Sequence, residues 1–215
     1  MGSDHYFSAS PGSQARPRTI HVRLAGADRE VTTASGIFSP DRIDTGTQVL
    51  LASMPPPPPS GNLLDLGCGW GPLALTLALD APHATVWAVD VNDRALGLVA
   101  ANAQRLGLEN VRTAHPDEVP EDITFATIWS NPPIRVGKHE LHDMLENWMQ
   151  RLSVGSDAWL VVQRNLGADS LHHWLQGSLP PPFSVLRTAT NKGFRVLRVR
   201  HRTPNTPVTG SDRDG

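Results

Sequence analysis

Leu64-Asp65-Leu66-Gly67-Cys68-Gly69-Trp70-Gly71-Pro72 joins a short apolar run to an Ala/Leu-rich one through three glycines. A strand that turns into a helix over glycines is where an open α/β sheet binds a ligand, because the backbone there can come close and adopt positive φ. A dinucleotide site asks for G-x-G-x-x-G, with the third glycine packing helix on strand and a pyrophosphate on the helix N-terminus. Gly67 and Gly69 fit that spacing, but Pro72 holds the third position. Asp65, just ahead of the glycines, would repel a pyrophosphate and suits a ligand with a cationic amino-acid end. The combination favours S-adenosylmethionine over NAD. Cys68 reads as a small residue in a crowded loop, since no histidine partner can be assigned to it for a nucleophilic role.

Outward from that loop the chain alternates strand and helix. Residues 63–66 are a buried strand and 72–79 a helix, with proline near its start where a missing donor is harmless. Strands follow at 85–89, 111–114, 125–129 and 158–163. Helices fall at 94–106, closed by Gly107, at 140–152 and at 168–176. Two more strand-like runs, 183–188 and 194–200, are joined by Thr190-Asn191-Lys192-Gly193, a hairpin signal. Repeated β-α units predict a Rossmann-like α/β fold with a mostly parallel seven-stranded sheet and helices on both faces. The antiparallel hairpin at the end is what separates class I methyltransferases from plain dinucleotide folds.

The first sixty residues are a lead-in. Residues 19–24 alternate like a strand, and 29–33 pair back across a turn at 25–28. A short helix at 45–54 is stopped by five prolines at 55–59, which lack donors and fix φ. The proline tract reads as a stiff spacer or as a docking ligand for a proline-reading domain. The expected division is a lead-in, 1–60, packed on a catalytic domain, 61–202, with a disordered tail, 203–215.

Composition narrows the class. A chain of 215 residues supports one sizeable core and gives no reason to expect two domains. No apolar run approaches the length of a bilayer span, and residues 1–10 are polar without a signal core, so a cytoplasmic protein with no membrane partner is expected. One cysteine excludes an intramolecular disulfide and a zinc site of several thiolates, and no metal is expected. A net charge of −2 argues weakly against a dedicated nucleic-acid coat protein. The distribution is uneven: residues 183–202 carry Arg187, Lys192, Arg195, Arg198, Arg200 and Arg202 with no carboxylate, while 109–146 are acid-rich. A solvated face explains such asymmetry as readily as a polyanionic partner.

Two further motifs carry chemistry. Asp90, in Ala88-Val89-Asp90-Val91-Asn92, closes the second strand 21 positions beyond Gly69, near the separation at which an acid meets ribose hydroxyls. Its alternative role is to cap the next helix, for which Asn92 or Asp93 is better placed. Ser130-Asn131-Pro132-Pro133-Ile134 ends the fourth strand. Alone it is a turn; after a methyltransferase loop it fits the Asn-Pro-Pro-aromatic motif of enzymes that methylate planar nitrogen, such as adenine N6, guanine N2 or a glutamine amide. Such a nitrogen shares its lone pair with a ring or carbonyl and is a poor nucleophile. The Asn131 oxygen and the Pro132 carbonyl can each accept one N–H, drawing the nitrogen toward tetrahedral geometry and aiming its lone pair. The prolines are expected to keep that carbonyl rigid and free of a competing helix. Ile134 would cover one face of a base with less stacking than an aromatic.

With these residues in hand, the sequence resembles the ribosomal small-subunit RNA guanine-N2 methyltransferase C family over most of its length. The resemblance rests on His5-Tyr6-Phe7-Ser8, on Gly36-Ile37-Phe38-Ser39-Pro40 with Asp44-Thr45-Gly46-Thr47, on the glycine loop, Asp90 and Asn131-Pro132-Pro133-Ile134, and on Lys192-Gly193-Phe194-Arg195. Many methyltransferases share the glycine loop, Asp90 and the Asn131 motif; the lead-in and the hairpin narrow the choice. The resemblance implies S-adenosyl-L-methionine as cofactor and S-adenosyl-L-homocysteine as product. Phe38, Thr45, Gly46 and Thr47 would enclose the cofactor, with Asp65, Gly67, Cys68 and Gly69 at its methionine end. Asp90 and Val91 would meet the ribose, and His115 the adenine. Asn131 would be catalytic with Pro132 and would border the cofactor, while Pro133, Ile134, Lys192, Phe194 and Arg195 would contact the substrate. The implied partner is RNA, either ribosomal RNA or the small ribosomal subunit, and the implied state a monomer or weak dimer. Ile134 departs from the family's aromatic, and 215 residues leave no room for the second, degenerate domain that some members carry. Two rivals share the motifs: an N-methyltransferase of a protein glutamine or a small molecule, and a catalytically silent S-adenosylmethionine-binding module. Intact Asp65, Gly67, Gly69, Asp90 and Asn131 count against the silent module.

Overall fold

A computed structural model describes residues 16–204, so His5 to Ser8 and almost all of the expected tail lie outside the described residues. The elements in chain order are β1 (Pro17–Leu24), β2 (Ala27–Ala34), α1 (Thr45–Ser53), β3 (Asn62–Leu66), α2 (Pro72–Asp80), β4 (Thr85–Val89) and α3 (Asp93–Arg105). Then come β5 (Val111–Ala114), β6 (Phe125–Ser130), α4 (Lys138–Met149), β7 (Leu152–Gln163), α5 (Ala168–Ser178), β8 (Phe183–Asn191) and β9 (Phe194–His201). Seven strands form one sheet in the order β5-β4-β3-β6-β7-β9-β8, and β1 and β2 pair separately. The strands from β3 to β7 run parallel, and β9 lies antiparallel between β7 and β8. This is the expected Rossmann-like arrangement with its terminal hairpin.

Alternation along the strands divides the core. Leu64 and Leu66 face one way and join Ile128, Leu160 and Leu197 under α4 and α5. Leu63, Val86, Trp129 and Val161 face the other way, under α1 and α2. Each such side chain, fully buried, contributes about 1.5–3 kcal/mol. α2 is apolar on nearly all sides because it is covered twice. Leu73, Ala74 and Leu77 meet the sheet, while Leu75 packs with Trp70 against Leu24, Val31 and Ile37 of the lead-in. The β1–β2 hairpin is therefore an outer layer of the same body.

Two boundaries differ from expectation. The helix predicted to reach residue 152 stops at Met149, and Leu152 instead pairs with Phe125 to begin a twelve-residue β7. Leu152 keeps the helical apolar spacing, so its strand partner, not its periodicity, decides its state. β8 runs on to Asn191, leaving only Lys192 and Gly193 in the turn, both with positive φ (48° and 79°). That is the two-residue turn whose twist matches a hairpin.

Register places the functional ends. Leu66 is level with Val89 and with Ser130, and Val89 with Ala114. Gly67, Asp90, His115 and Asn131 are consequently the first residues beyond the sheet on four adjacent strands. The chain winds outward from β3 through β4 to β5, then returns to β6 on the other side of β3. The glycine loop and Asn131 flank that switch point, where such sheets bind their ligands.

Candidate active site

A cleft lies over this edge, lined by Phe38, Asp44 and Thr47 from the lead-in, by Asp65, Gly67 and Gly69, and by Asn131. Asp65 shares the parity of Leu63, so its side chain points to the α2 face. There its Oδ2 accepts the Ala74 N–H at 2.8 Å, doing the capping that Gly71 cannot. Its Oδ1 is buried without a hydrogen-bond partner. Burial pushes the Asp65 pKa from an ordinary 3.8 up to about 8, against the lowering pull of the Ala74 bond. A buried acceptor atom with no donor, at the edge of a cleft, suits a cationic group supplied from outside. Cys68 is buried beside it, and burial with Asp90 and Asp65 pushes its thiol well above the ordinary range. Such a thiol is a poor nucleophile.

Asp90 ties the two loops together. Its Oδ2 accepts the Gly69 N–H at 2.9 Å and its Oδ1 the Asn92 N–H at 3.0 Å. Burial raises its pKa while these bonds oppose the rise. With the Val91 N–H also directed at it, the carboxylate keeps acceptor capacity for a hydroxyl donor. The helix cap falls to Asn92, whose side chain accepts the Arg94 N–H. Val91 and Phe38 are 42% and 44% exposed, and Phe38 lines the cleft. His115 stands at the next strand end, its Nε2 2.8 Å from Asp93 Oδ1, and like Asp90 and Val91 it lies outside the residues that line the cleft.

Asn131 reaches back to the lead-in. Its Nδ2 donates to Asp44 Oδ2 at 2.9 Å and to Thr47 Oγ1 at 3.1 Å. Ser130, just before it, donates from Oγ to the Leu66 carbonyl at 2.7 Å and fastens β6 to the strand of the glycine loop. Pro132 is buried. No helical bond takes its carbonyl, but a γ-turn does: the Ile134 N–H donates to Pro132 O at 2.9 Å, and the 3-10 turn that follows, Ile134–Val136, bonds Val136 N–H to Pro133 O at 3.1 Å. One lone pair of that carbonyl remains. Ile134 itself packs partly buried against the α4/α5 side of the core.

The hairpin residues separate. Phe194 lies against α1, so close that a Cβ on Gly46 would stand 2.9 Å from its Cε1. Lys192 is exposed at the turn. Arg195 is ion-paired with Asp169 of α5, which Arg187 also approaches. Arg198 and Arg200 pair with Asp157.

Several residues, all but Asn92 without a role in the sequence reading, tie the lead-in to the rest of the fold. Trp70 donates from Nε1 to Ser39 O at 3.1 Å, Asn92 from Nδ2 to Gly36 O at 3.2 Å, and Arg94 to Ser35 O at 2.7 Å. Asn102, fully buried, accepts the Thr32 N–H at 2.7 Å and donates to Thr32 O at 2.9 Å. Asp44 is the most consequential of these residues, since it meets both the first turn of α1 and Asn131. An asparagine at helical spacing on the apolar face of amphipathic α3, in line with Ala95 and Val99, was the available signal for Asn102. Among the described residues no group of three His, Cys, Asp or Glu side chains is placed to hold a metal, and no helix is long and apolar enough to cross a membrane.

Comparison with known proteins agrees with this geometry. The uncharacterized protein YbxB of Bacillus subtilis is 35% identical to the chain, covering 92% of it and 98% of YbxB. Ribosomal RNA small subunit methyltransferase C of Ectopseudomonas mendocina is 32% identical over 89% of the chain, but the match spans only 57% of that longer protein. The solved structure of T. thermophilus 16S rRNA N2 G1207 methyltransferase (RsmC), in complex with AdoMet and guanosine, superposes with a TM-score of 0.74 at 23% identity, covering 89% of this chain and 52% of that one. At that identity the superposition speaks for the fold. The methyltransferase small domain matches residues 28–198, from the β1–β2 hairpin to β9, and the chain belongs to that family.

Proposed function

We propose that the chain transfers a methyl group from S-adenosylmethionine to the exocyclic N2 of a guanine in small-subunit ribosomal RNA. The observation that carries the reading is Asn131, whose amide nitrogen is engaged by Asp44 and Thr47 beside the glycine loop. The names of the relatives and the ligands of the structural neighbour support the choice of RNA and guanine. The unpaired Asp65 Oδ1 fits the ammonium of an amino-acid end, and Asp90 retains acceptor capacity for ribose hydroxyls. When bound, S-adenosylmethionine supplies a methyl group made electrophilic by its sulfonium.

The protein's part is positional. Asn131 Oδ1 accepts one N–H of the substrate amine and the remaining lone pair of Pro132 O accepts the other. Held by both, the nitrogen pyramidalises and its lone pair is oriented for transfer, with no strong base needed. A base in a stack must leave it to reach this cleft, at a cost of a few kcal/mol. The experiment is transfer of a labelled methyl group onto small ribosomal subunits and naked ribosomal RNA from cells lacking this protein, followed by nucleoside mapping. The expected product is N2-methylguanosine. Label on an adenine, on a protein glutamine or on neither RNA nor protein would overturn the guanine reading.

A further inference from the structure

An asparagine amide offers a donor end and an acceptor end, and only the acceptor serves a substrate N–H. Which end faces the substrate is decided here by residues 84 and 87 positions away in sequence. Asp44 Oδ2 receives Asn131 Nδ2 at 2.9 Å, and the Thr47 hydroxyl receives it at 3.1 Å. The same Oδ2 accepts the N–H groups of Gly46 and Thr47 at 2.8 and 3.2 Å, so it cannot turn toward a flipped amide without uncapping α1. A carboxylate accepts and does not donate, and a flipped amide would set its oxygen against that of Asp44. Packing closes the remaining freedom: a Cβ on Gly46 would stand 2.9 Å from both Asp44 Oδ2 and Phe194 Cε1, and Thr47 is buried.

We infer that Asp44 is a positioning residue that locks the Asn131 amide with Nδ2 inward, leaving Oδ1 as the acceptor offered to the substrate nitrogen. The role in turnover rests on the proposed function; the lock itself does not. Its consequence for selectivity is that the nucleophile must carry an N–H, because an acceptor-only ring nitrogen would meet Oδ1 lone pair to lone pair.

Three variants test the lock. Asp44→Ser keeps a side-chain cap for α1 but is too short to reach Asn131. Asp44→Asn keeps an acceptor oxygen at the original reach, and Asn131→Ala identifies the amide signals by their loss. In the free protein, the two side-chain amide protons of Asn131 are expected to be well separated and slow to exchange by NMR. They should move toward the positions of a free amide in Asp44→Ser, where only the Thr47 hydroxyl remains as acceptor, and stay close to wild type in Asp44→Asn. Unchanged signals in Asp44→Ser overturn the lock. With small ribosomal subunits from cells lacking the protein as substrate, Asp44→Ser should lower kcat about tenfold to a hundredfold with KM for S-adenosylmethionine within about twofold. Asp44→Asn should recover most of that loss. A kcat within about twofold of wild type in Asp44→Ser overturns the positioning role. Wild-type protein that transfers no methyl group overturns the proposed function, and the amide signals then still decide the lock.

Discussion

Replacing Asp65 with Asn removes a charge while keeping an oxygen that can accept the Ala74 N–H, and the structure gives the expected consequence a size. Asp65 is 1% exposed and its pKa is pushed up to about 8. At pH 6.5 the free protein therefore holds roughly thirty protonated Asp65 side chains for each ionised one. The proposed ammonium partner at Oδ1 needs the ionised form. Ionising the group at pH 7 costs about 1.4 kcal/mol, which binding must offset. Affinity for an amino-acid-bearing ligand should thus rise about tenfold per pH unit up to about pH 8, with close to one proton expelled at pH 6.5. At still higher pH the ligand's own amine loses its proton and affinity falls again.

The assay is calorimetry with S-adenosylhomocysteine, which shares the amino-acid end and does not react. Titrations at pH 6.5 in two buffers of different ionisation enthalpy count the protons released. Asp65→Asn should bind more weakly and lose the rising limb. Affinity that stays level from pH 6 to 8 in the wild-type protein, with no proton release, would refute the placement of a cation at Oδ1. Stability offers a second view. Because the folded protein binds this proton more tightly than the unfolded chain, the group's contribution is complete below about pH 4 and is lost as pH rises through about 8. The ligand should reverse that loss, so the Tm gap between liganded and free protein should widen from pH 6 to 8.

Gly71 caps α2 at φ 96°, and a Cβ there would stand 2.9 Å from Val99 Cγ2. Gly71→Ala should therefore cost about 2–4 kcal/mol in urea denaturation, and a loss below about 1 kcal/mol would contradict the close approach of α2 and α3. Asn102→Ala strips the Thr32 backbone of both bonds and should cost about 2–4 kcal/mol, with faster hydrogen exchange at the Thr32 amide; unchanged exchange would show that the hairpin is held by its apolar face alone. Arg195→Ala with Arg198→Ala should shift the salt slope of RNA binding by less than about one unit, since both guanidinium groups face carboxylates; a fall of about two units would count both as phosphate contacts.

Elements governed by local pattern are legible before any coordinates. The short, nearly continuous apolar runs of β3 and β4, the proline opening α2 and the Asn191-Lys192-Gly193 turn each act within a few residues. What pairs at a distance is not legible in that way. Leu152 satisfies a helical spacing and is a strand residue because Phe125 lies beside it. The insertion of β9 between β7 and β8 depends on a register of seven residue pairs with β7 that no local signal specifies. For the site, Asp65, Asp90 and Asn131 stand out because each breaks the apolar character of a strand end. Asp44 does not, because its local role is to cap α1, and the second role depends on a partner 87 residues later, across β3 to β6.

The arginines of the last hairpin show the same division between local and long-range signals with a different outcome. Read in order, Arg187 to Arg202 form one cationic run. In a strand, however, successive side chains alternate faces. Arg195 falls on the face of Leu197 and Val199, toward α5 and Asp169. Arg198 has the parity of Val196, on the opposite face, where Arg198 and Arg200 meet Asp157. The run is thus split between two surfaces, and each half carries its own counter-charge. On each surface two guanidinium groups share one carboxylate, so a polyanion drawn to either would compete with that carboxylate for both of them. Long-range attraction is correspondingly weak in a chain whose net charge is −2. Under the proposed function, discrimination among substrates falls to the cleft, where Asn131 stands with Phe38, Asp44 and Thr47.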